Sequence, residues 1–292
     1  MVSQPLITFI RESAAAPVCR VRLAPTPSGF LHAGNALNFI INALCARLHP
    51  QGEILLRIDD LDTDRKQPTY VTDIFDSLDW LGITWDLGPA NAADFEKNWS
   101  QVQFLADINP VLEAMANNNT VFACNKSRKD LISLAGEYPD EFRKQGFTLY
   151  EPDVAWRADT PLSFPLPCFI VRRRDGIPSY QTASVALDSK FDITHIIRGE
   201  DLRASSEAQY WLAEKSGWQH FKNVKICHHP LLRDAAGNKL SKSAGAASLR
   251  EKYRRNESPV LFFQQAAKWL DLPEKNIQNL SDLVAHFKEH IV

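Results

Sequence analysis

The stretch Cys19-Arg20-Val21-Arg22-Leu23-Ala24-Pro25-Thr26-Pro27-Ser28-Gly29-Phe30-Leu31-His32-Ala33-Gly34-Asn35 decides the fold. Its Cys19, Val21 and Leu23 alternate with Arg20 and Arg22, the period-two pattern of a short strand. A turn rich in proline and glycine follows, Pro25 to Gly29. Beyond it Leu37, Ile40, Ile41, Leu44 and Leu48 recur at helical spacing. Ile54 to Ile58, an apolar run broken by Arg57, has the pattern of a buried strand. Pro68 suits a first helical turn. Val71, Ile74, Phe75, Leu78 and Leu81 then give one apolar face, and Gly82 ends the helix. Strand, helix, strand, helix in that order implies a parallel sheet with crossover helices.

Outward from this unit the pattern changes. From about Gly88 to Pro167 one helix stands out, around Phe104 to Met115, and the composition shifts towards Asn, Pro and charge, as in an insertion or small second domain. Strand patterns resume at Cys168 to Arg172, at Tyr180 to Leu187, and at His195 to Ile197, which runs into Arg198-Gly199-Glu200-Asp201. Ser206 with Gln209 has the spacing of a capping box for a helix through Trp211. Val224 and Ile226 suggest one more strand. After Ser248 the chain reads as helical, with starts at Ser258-Pro259 and Ser281 and one stripe of Leu280, Leu283, Val284 and Phe287. The expected architecture is α/β: a Rossmann-like parallel-sheet catalytic domain from residues 1–88 and 168–247, an inserted α/β subdomain at 89–167, and a C-terminal helical segment at 248–292.

Composition narrows the function classes. A net charge of −2 gives no whole-chain electrostatic reason for a nucleic-acid partner, so RNA contact needs a local patch. One candidate is Lys239 to Arg255, where Lys239, Lys242, Arg250, Lys252, Arg254 and Arg255 stand against Glu251 alone; the plain alternative is an exposed helix with solvated charges. The cysteines number five, and none is in a CxxC pair. That argues against a disulfide framework or a self-contained zinc knuckle, and fits a reducing, cytoplasmic setting. The opening MVSQPLITFIRES lacks the basic start and apolar run of a signal peptide. No stretch approaches the roughly 18 uninterrupted apolar residues of a membrane span.

In an open parallel sheet, ligands sit beyond the carboxyl ends of the strands. Three clusters fall at such ends: Arg22 with the loop to His32; Asp59, Asp60, Asp62 and Asp64; and Arg198, Glu200 and Asp201. In the first loop Gly29 and Gly34 permit close backbone approach, and the helix start offers free N–H groups and a positive dipole end, which favours a phosphate. His32 is placed to donate to phosphate oxygens as charge develops, although a lone histidine at a helix start is more often a cap or a surface residue. Far along the chain, Lys239-Leu240-Ser241-Lys242-Ser243 follows the glycine turn Ala236-Gly237-Asn238. Two lysines flanking small hydroxyl residues suit a polyphosphate as flexible point charges.

Taken together, His32-Ala33-Gly34-Asn35 and Lys239-Leu240-Ser241-Lys242-Ser243 resemble the two signature motifs of class I aminoacyl-tRNA synthetases. Three further blocks look like the glutamyl branch: Arg22 through His32; Leu56-Arg57-Ile58-Asp59-Asp60-Leu61-Asp62; and Ile193-Thr194-His195-Ile196-Ile197-Arg198-Gly199-Glu200-Asp201. The matches span roughly residues 20 to 245. Full glutamyl-tRNA synthetases continue into a helical anticodon-binding domain, whereas this chain ends at Val292. In that it resembles the glutamyl-Q tRNA(Asp) synthetases, which attach glutamate to the modified anticodon base queuosine.

The resemblance implies ATP-dependent activation of L-glutamate, or a similar amino acid, to an adenylate, with tRNA as acceptor and Mg²⁺ on the phosphates. It implies catalytic roles for His32, Asn35, Lys239 and Lys242. ATP would be bound by Pro27, Gly29, His32, Gly34, Asn35, Leu240, Ser241 and Lys242. The amino acid would be bound by Arg22, Ala24, Asp59, Tyr180 and Arg198, the arginines pairing with its carboxylates and Asp59 with its ammonium. Asp59 stands where the family usually has glutamate, Leu61 replaces a threonine, and Leu187 replaces the first of two aspartates, so the amino acid stays open. The family's zinc site is expected to be lost: Cys124 matches its first cysteine, but Lys126 and Phe142 fall at the other two, and one thiolate with Tyr138 does not make a tetrahedral site. Two alternatives stand beside the main reading: a ligase with a non-tRNA acceptor, and a non-catalytic paralogue.

Overall fold

A computed structural model describes residues 2–127, 130, 138–232 and 248–291. The chain forms two compact units. The first comprises Met1–Gln101, Ile193–Leu202 and Val224–Val292, and the second Val102–Asp192 and Arg203–Asn223.

In the first unit, strand β1 (Arg20–Leu23) pairs in parallel with β2 (Glu53–Leu56), Arg22 opposite Leu55. Helix Ala33–Leu48 makes the crossover between them. It is buried nearly all round, from Ala36 to Leu48 with few breaks, because it is covered by more than the sheet. Helix Val260–Trp269 contributes Phe263, Ala266 and Ala267 to the same core, and helix Leu280–His290 contributes Leu283 and Phe287. Each of those buried phenylalanines is worth about 2–3 kcal/mol of apolar burial. A second parallel pair, β6 (His195–Gly199) and β7 (Lys225–His229), joins the first where Thr194 N–H donates to Arg20 O at 3.0 Å. The pairing of β1 and β2 runs on past the strands: Arg57 N–H donates to Leu23 O and Asp59 N–H to Pro25 O, both at 2.9 Å. That extension carries Asp59 alongside the loop that leaves β1.

Sequence patterning predicts no element over residues 4–14, yet Gln4–Ala14 is a helix with Leu6, Ile7 and Ile10 buried. Its β-branched and aromatic residues are weak helix formers, and packing overrides propensity here. Helix Pro68–Trp80 starts at Pro68 as expected, and Gly82 takes φ +64° just beyond its end, where a side chain would be strained. Ser281 is not a helix start; Asn279 caps that helix, its side chain accepting from Asp282 N–H at 3.0 Å.

The second unit holds an antiparallel meander, β3 (Val121–Cys124), β4 (Ala155–Ala158) and β5 (Ile170–Arg172), with helices Leu105–Asn117, Tyr180–Lys190 and Arg203–Ser216. Two sequence expectations are corrected. Tyr180 to Leu187 is helix, not strand: every residue from Gln181 to Asp188 is buried. A helix covered on all sides shows no stripe, and a short apolar run is then ambiguous. Ser206 and Gln209 do not cap a helix; both are buried inside one that begins at Arg203.

A buried histidine in the first unit fixes a pH response. His229 is 4% exposed, stacks on Trp269 at 5.2 Å, and sits 2.8 Å from Pro230 O and 3.1 Å from Asn38 Nδ2. Asn38 donates there, so Nε2 accepts and the neutral ring carries its proton on Nδ1. Burial lowers its pKa, against smaller opposing effects of Pro230 O and Asp201. Protonation therefore favours the unfolded chain. The neutral ring's contribution is complete above about pH 6.5 and is lost as pH falls through the depressed folded value. Denaturant titrations from pH 7.5 to 5 should show this loss in the parent and a shallower one in His229→Gln.

Candidate active site

The carboxyl ends of β1, β2 and β6 bring Arg22, the His32 loop, Asp59 and Arg198 onto the same unit. His32 caps helix Ala33–Leu48 through a reciprocal pair. Its Nδ1 accepts from Gly34 N–H at 3.0 Å, while its own N–H donates to Asn35 Oδ1 at 3.0 Å. With Nδ1 accepting, the neutral ring carries its proton on Nε2, the atom that faces away from the cap. Gly34 is required for this packing: a Cβ there would lie 2.9 Å from His32 Cε1. His32 is therefore a cap, and its Nε2 lies on the opposite edge of the ring from the cap bond.

The chain from Ser248 onward, where the described residues resume, meets this loop. Ser248 forms a bridge with His32, and Leu249 N–H donates to Leu31 O at 2.8 Å. Lys239, Leu240, Ser241 and Lys242 themselves lie outside the described residues. Of the basic run that ends at Arg255, the described part is an ion-paired helix. Lys252 pairs with Glu257 at 3.0 Å, and Arg250 stacks over Phe30 at 4.4 Å.

The acidic cluster divides in two. Asp59 is 6% exposed and accepts a forked pair from Arg57, Nε at 2.7 Å and Nη2 at 3.2 Å, plus Gln101 Nε2 at 2.9 Å. Asp60, also buried, accepts from Ser100 Oγ, Gln101 N–H and Lys66 Nζ. Burial works against the Lys66 ammonium, but Glu96 and Asp60 outweigh it and the pKa rises. Asp64 is exposed and Asp62 intermediate, and they sit at the short turn Thr63–Arg65, away from the buried pair. Arg57 was legible as a partner of Asp59, since residues two apart on extended chain share a face. Ser100 and Gln101, about forty residues on, carried no such signal.

At β6, Arg198 is 3% exposed. Asn38 and Asn42, one turn apart, donate to Ile197 O at 3.0 and 2.9 Å and dock the crossover helix on that strand. Tyr180 lies on the second unit, as the first residue of its helix and 40% exposed.

The residues compared with the family's zinc ligands lie in the second unit. Tyr138 O–H donates to Cys124 Sγ at 3.0 Å, and Phe142 packs edge-on against Tyr138 at 5.7 Å. Lys126 Nζ lies over the Phe142 ring. Cys168 is buried with them, and burial raises its pKa. Two thiols, with a lysine and an aromatic ring at the positions of the other expected ligands, fall short of the four-donor set of a structural zinc. Among the described residues no group of three or more His, Cys, Asp or Glu side chains could hold a metal.

Comparison with known proteins gives the site a context. The profile of the catalytic domain of class I tRNA synthetases (E and Q) matches residues 18–139 and 159–286. A glutamyl-Q tRNA(Asp) synthetase of Nitratidesulfovibrio vulgaris is 33% identical over 79% of this chain and 80% of its own length. A glutamate–tRNA ligase of a Synechococcus species is 31% identical over 80% of this chain, which spans about half of that relative (53%). The crystal structure of a glutamate-tRNA synthetase from Elizabethkingia anophelis shares the fold with a TM-score of 0.71 at 22% identity, over 94% of this chain and 66% of that one.

Proposed function

The chain belongs to the class I tRNA synthetases of the glutamate and glutamine branch, and from that premise we propose that it activates glutamate with ATP and passes the glutamyl group to a tRNA, in the manner of the glutamyl-Q enzymes. The observation that carries this is the junction at His32. The capped histidine starts the crossover helix that follows β1, and Ser248 bridges to that histidine. Lys242 is six residues upstream of Ser248, so a fully extended chain keeps its Cα within about 20 Å of that point. A long lysine side chain then needs only modest folding back of the segment to reach a phosphate held at the helix start.

The reaction needs no protein nucleophile. A glutamate carboxylate oxygen attacks the α-phosphorus, the bond to the bridging oxygen of pyrophosphate breaks, and the adenylate anhydride forms. An acceptor hydroxyl then takes the glutamyl group and releases AMP. The chain's residues bind and orient: His32 Nε2–H and Lys242 stabilise charge developing on phosphate oxygens, and Arg22 and Arg198 pair with carboxylates. Asp59 holds the ammonium, sharing its oxygens with Arg57 and Gln101. Tyr180 keeps its assignment from the motif match alone. Mg²⁺ supplies charge neutralisation on the triphosphate. For the RNA, the second unit offers a cavity of about 470 Å³ lined by Lys126, Arg157, Arg173 and Arg174, with no acid among its described lining residues and Asp130 bonded to Ser127 at its edge. Asp175 and Asp153 balance two of these from outside it. Such a wall suits backbone phosphates.

Amino-acid-dependent ATP–pyrophosphate exchange, with and without tRNA, tests the reading. Exchange with glutamate is expected, and silence with glutamate overturns it. Transfer to tRNA trimmed of its 3′-terminal adenosine separates the acceptors: continued labelling supports the queuosine base, and lost labelling points to the 3′ end.

A further inference from the structure

We propose that Asp73 is a positioning residue whose carboxylate locks the His32 loop to the helix that follows the lysine segment, setting both against one triphosphate. The inference rests on the functional reading above and deepens it. Asp73 stands on helix Pro68–Trp80 and is 2% exposed. Its Oδ2 accepts from Leu31 N–H at 3.0 Å, the residue directly before His32. Its Oδ1 accepts from Tyr253 O–H at 2.9 Å, on helix Leu249–Arg254. That helix is the first described structure after Lys239–Ser243.

The loop and this helix meet in three other places: the Ser248–His32 bridge, the Leu249 N–H bond to Leu31 O, and Arg250 over the Phe30 ring. Phe30 is itself held edge-on by Tyr70 at 4.9 Å. Those contacts bind one segment to the other. Asp73 adds what they lack, since its two oxygens fix each segment to a third, well-packed element. Hydrogen bonds to a buried carboxylate are strong and are not replaced by solvent. A displacement of about 1 Å at a reacting centre can cost about a hundredfold in rate. A clamp directly upstream of His32 is therefore a clamp on the chemistry.

Titration separates this role from plain support. Burial raises the Asp73 pKa; the bonds from Leu31 and Tyr253 and the charge of Arg250 oppose this, and Asp76 adds to it. Arg254 lines the same recess and His32 follows Leu31. A raised carboxyl pKa means that the folded state binds this proton more tightly than the unfolded one. Acidification through this group therefore does not cost stability, yet it removes an acceptor from the clamp. Activity is lost while the fold is kept.

The test uses the full chain with ATP and Mg²⁺ as the probe. Hydrogen exchange is followed over residues 24–36 and 248–256, and pyrophosphate exchange is run on the same samples. In the parent, ATP is expected to protect both segments together. In Asp73→Asn and Tyr253→Phe that joint protection is expected to split, with kcat down about tenfold or more, KM for glutamate unchanged, and the acid limb of the Asp73→Asn profile flattened. The double variant should be no worse than Asp73→Asn alone, as for one coupled unit. Parent-like kcat and protection in Asp73→Asn overturn the proposal, as does a loss that comes with lost protection across β1 and β2, which marks a structural role. If ATP protects neither segment in the parent, the nucleotide-site reading itself falls and takes this proposal with it.

Discussion

Asp59→Ala should destabilise the protein by about 3–5 kcal/mol, because it leaves Arg57 as a buried cation without its principal carboxylate. Arg57 is 4% exposed and Asp59 6%, and the two are joined by a fork of 2.7 and 3.2 Å. Removing one member of such a pair costs more than the pair is worth, since the remaining charge keeps its desolvation penalty. For a chain of this size the loss corresponds to a fall in Tm of roughly 10 °C. Arg57→Met with Asp59→Leu removes both charges at similar volume and should recover most of that loss, though not activity. Thermal and denaturant unfolding of the three proteins decide the matter. A single variant within about 2 °C of the parent, or a double variant as unstable as the single, would show that the pair is not what holds this turn. The consequence for function is direct. Asp59 already serves three donors, so under the proposed role a substrate ammonium would join an occupied carboxylate that the fold holds in place.

How much of this was legible follows from where each signal resides. The first unit announced itself because β1 alternates and the two helices after it have 3.6-residue stripes, so periodicity and geometry agree. Helix Tyr180–Lys190 was misread because burial from Gln181 to Asp188 erases any stripe. Its cap, Ser179 Oγ accepting from Thr182 N–H at 3.4 Å, went unread because the pattern of the segment reads as a strand. Helix Gln4–Ala14 offered Leu6, Ile7 and Ile10 at helical spacing, a pattern too short to outweigh its β-branched residues. At the site, the motifs located Arg22, His32, Asp59 and Arg198, because spacing along strands fixes which ends they occupy. Partners for two of them came from far along the chain, Gln101 on Asp59 and Ser248 on His32, as did Tyr253 on Asp73, which no motif marked. Tertiary pairing at such separations leaves no periodic trace.

The histidine at the helix start is where the structural and the chemical readings make opposite demands, and two substitutions separate them. Asparagine is among the best N-caps, so His32→Asn keeps an acceptor for the first-turn N–H groups and should change stability by less than about 1 kcal/mol. It removes the Nε2–H donor, however, and shortens what remains. If His32 stabilises charge on the phosphates, kcat for pyrophosphate exchange should fall about a hundredfold or more, the usual cost of one preorganised donor, with KM for glutamate little changed. His32→Ala should lose the same activity and in addition about 1 kcal/mol of stability from the missing cap. The cap bonds are 3.0 Å on each side and depend on Gly34 having no Cβ, so the ring has one seated orientation. A cap needs neither an imidazole nor its far nitrogen. Full exchange activity in His32→Asn would therefore reduce this residue to a cap and move the burden of charge stabilisation to Lys242, whereas a silent but stable His32→Asn would show that the same ring starts the helix on one edge and serves the triphosphate on the other.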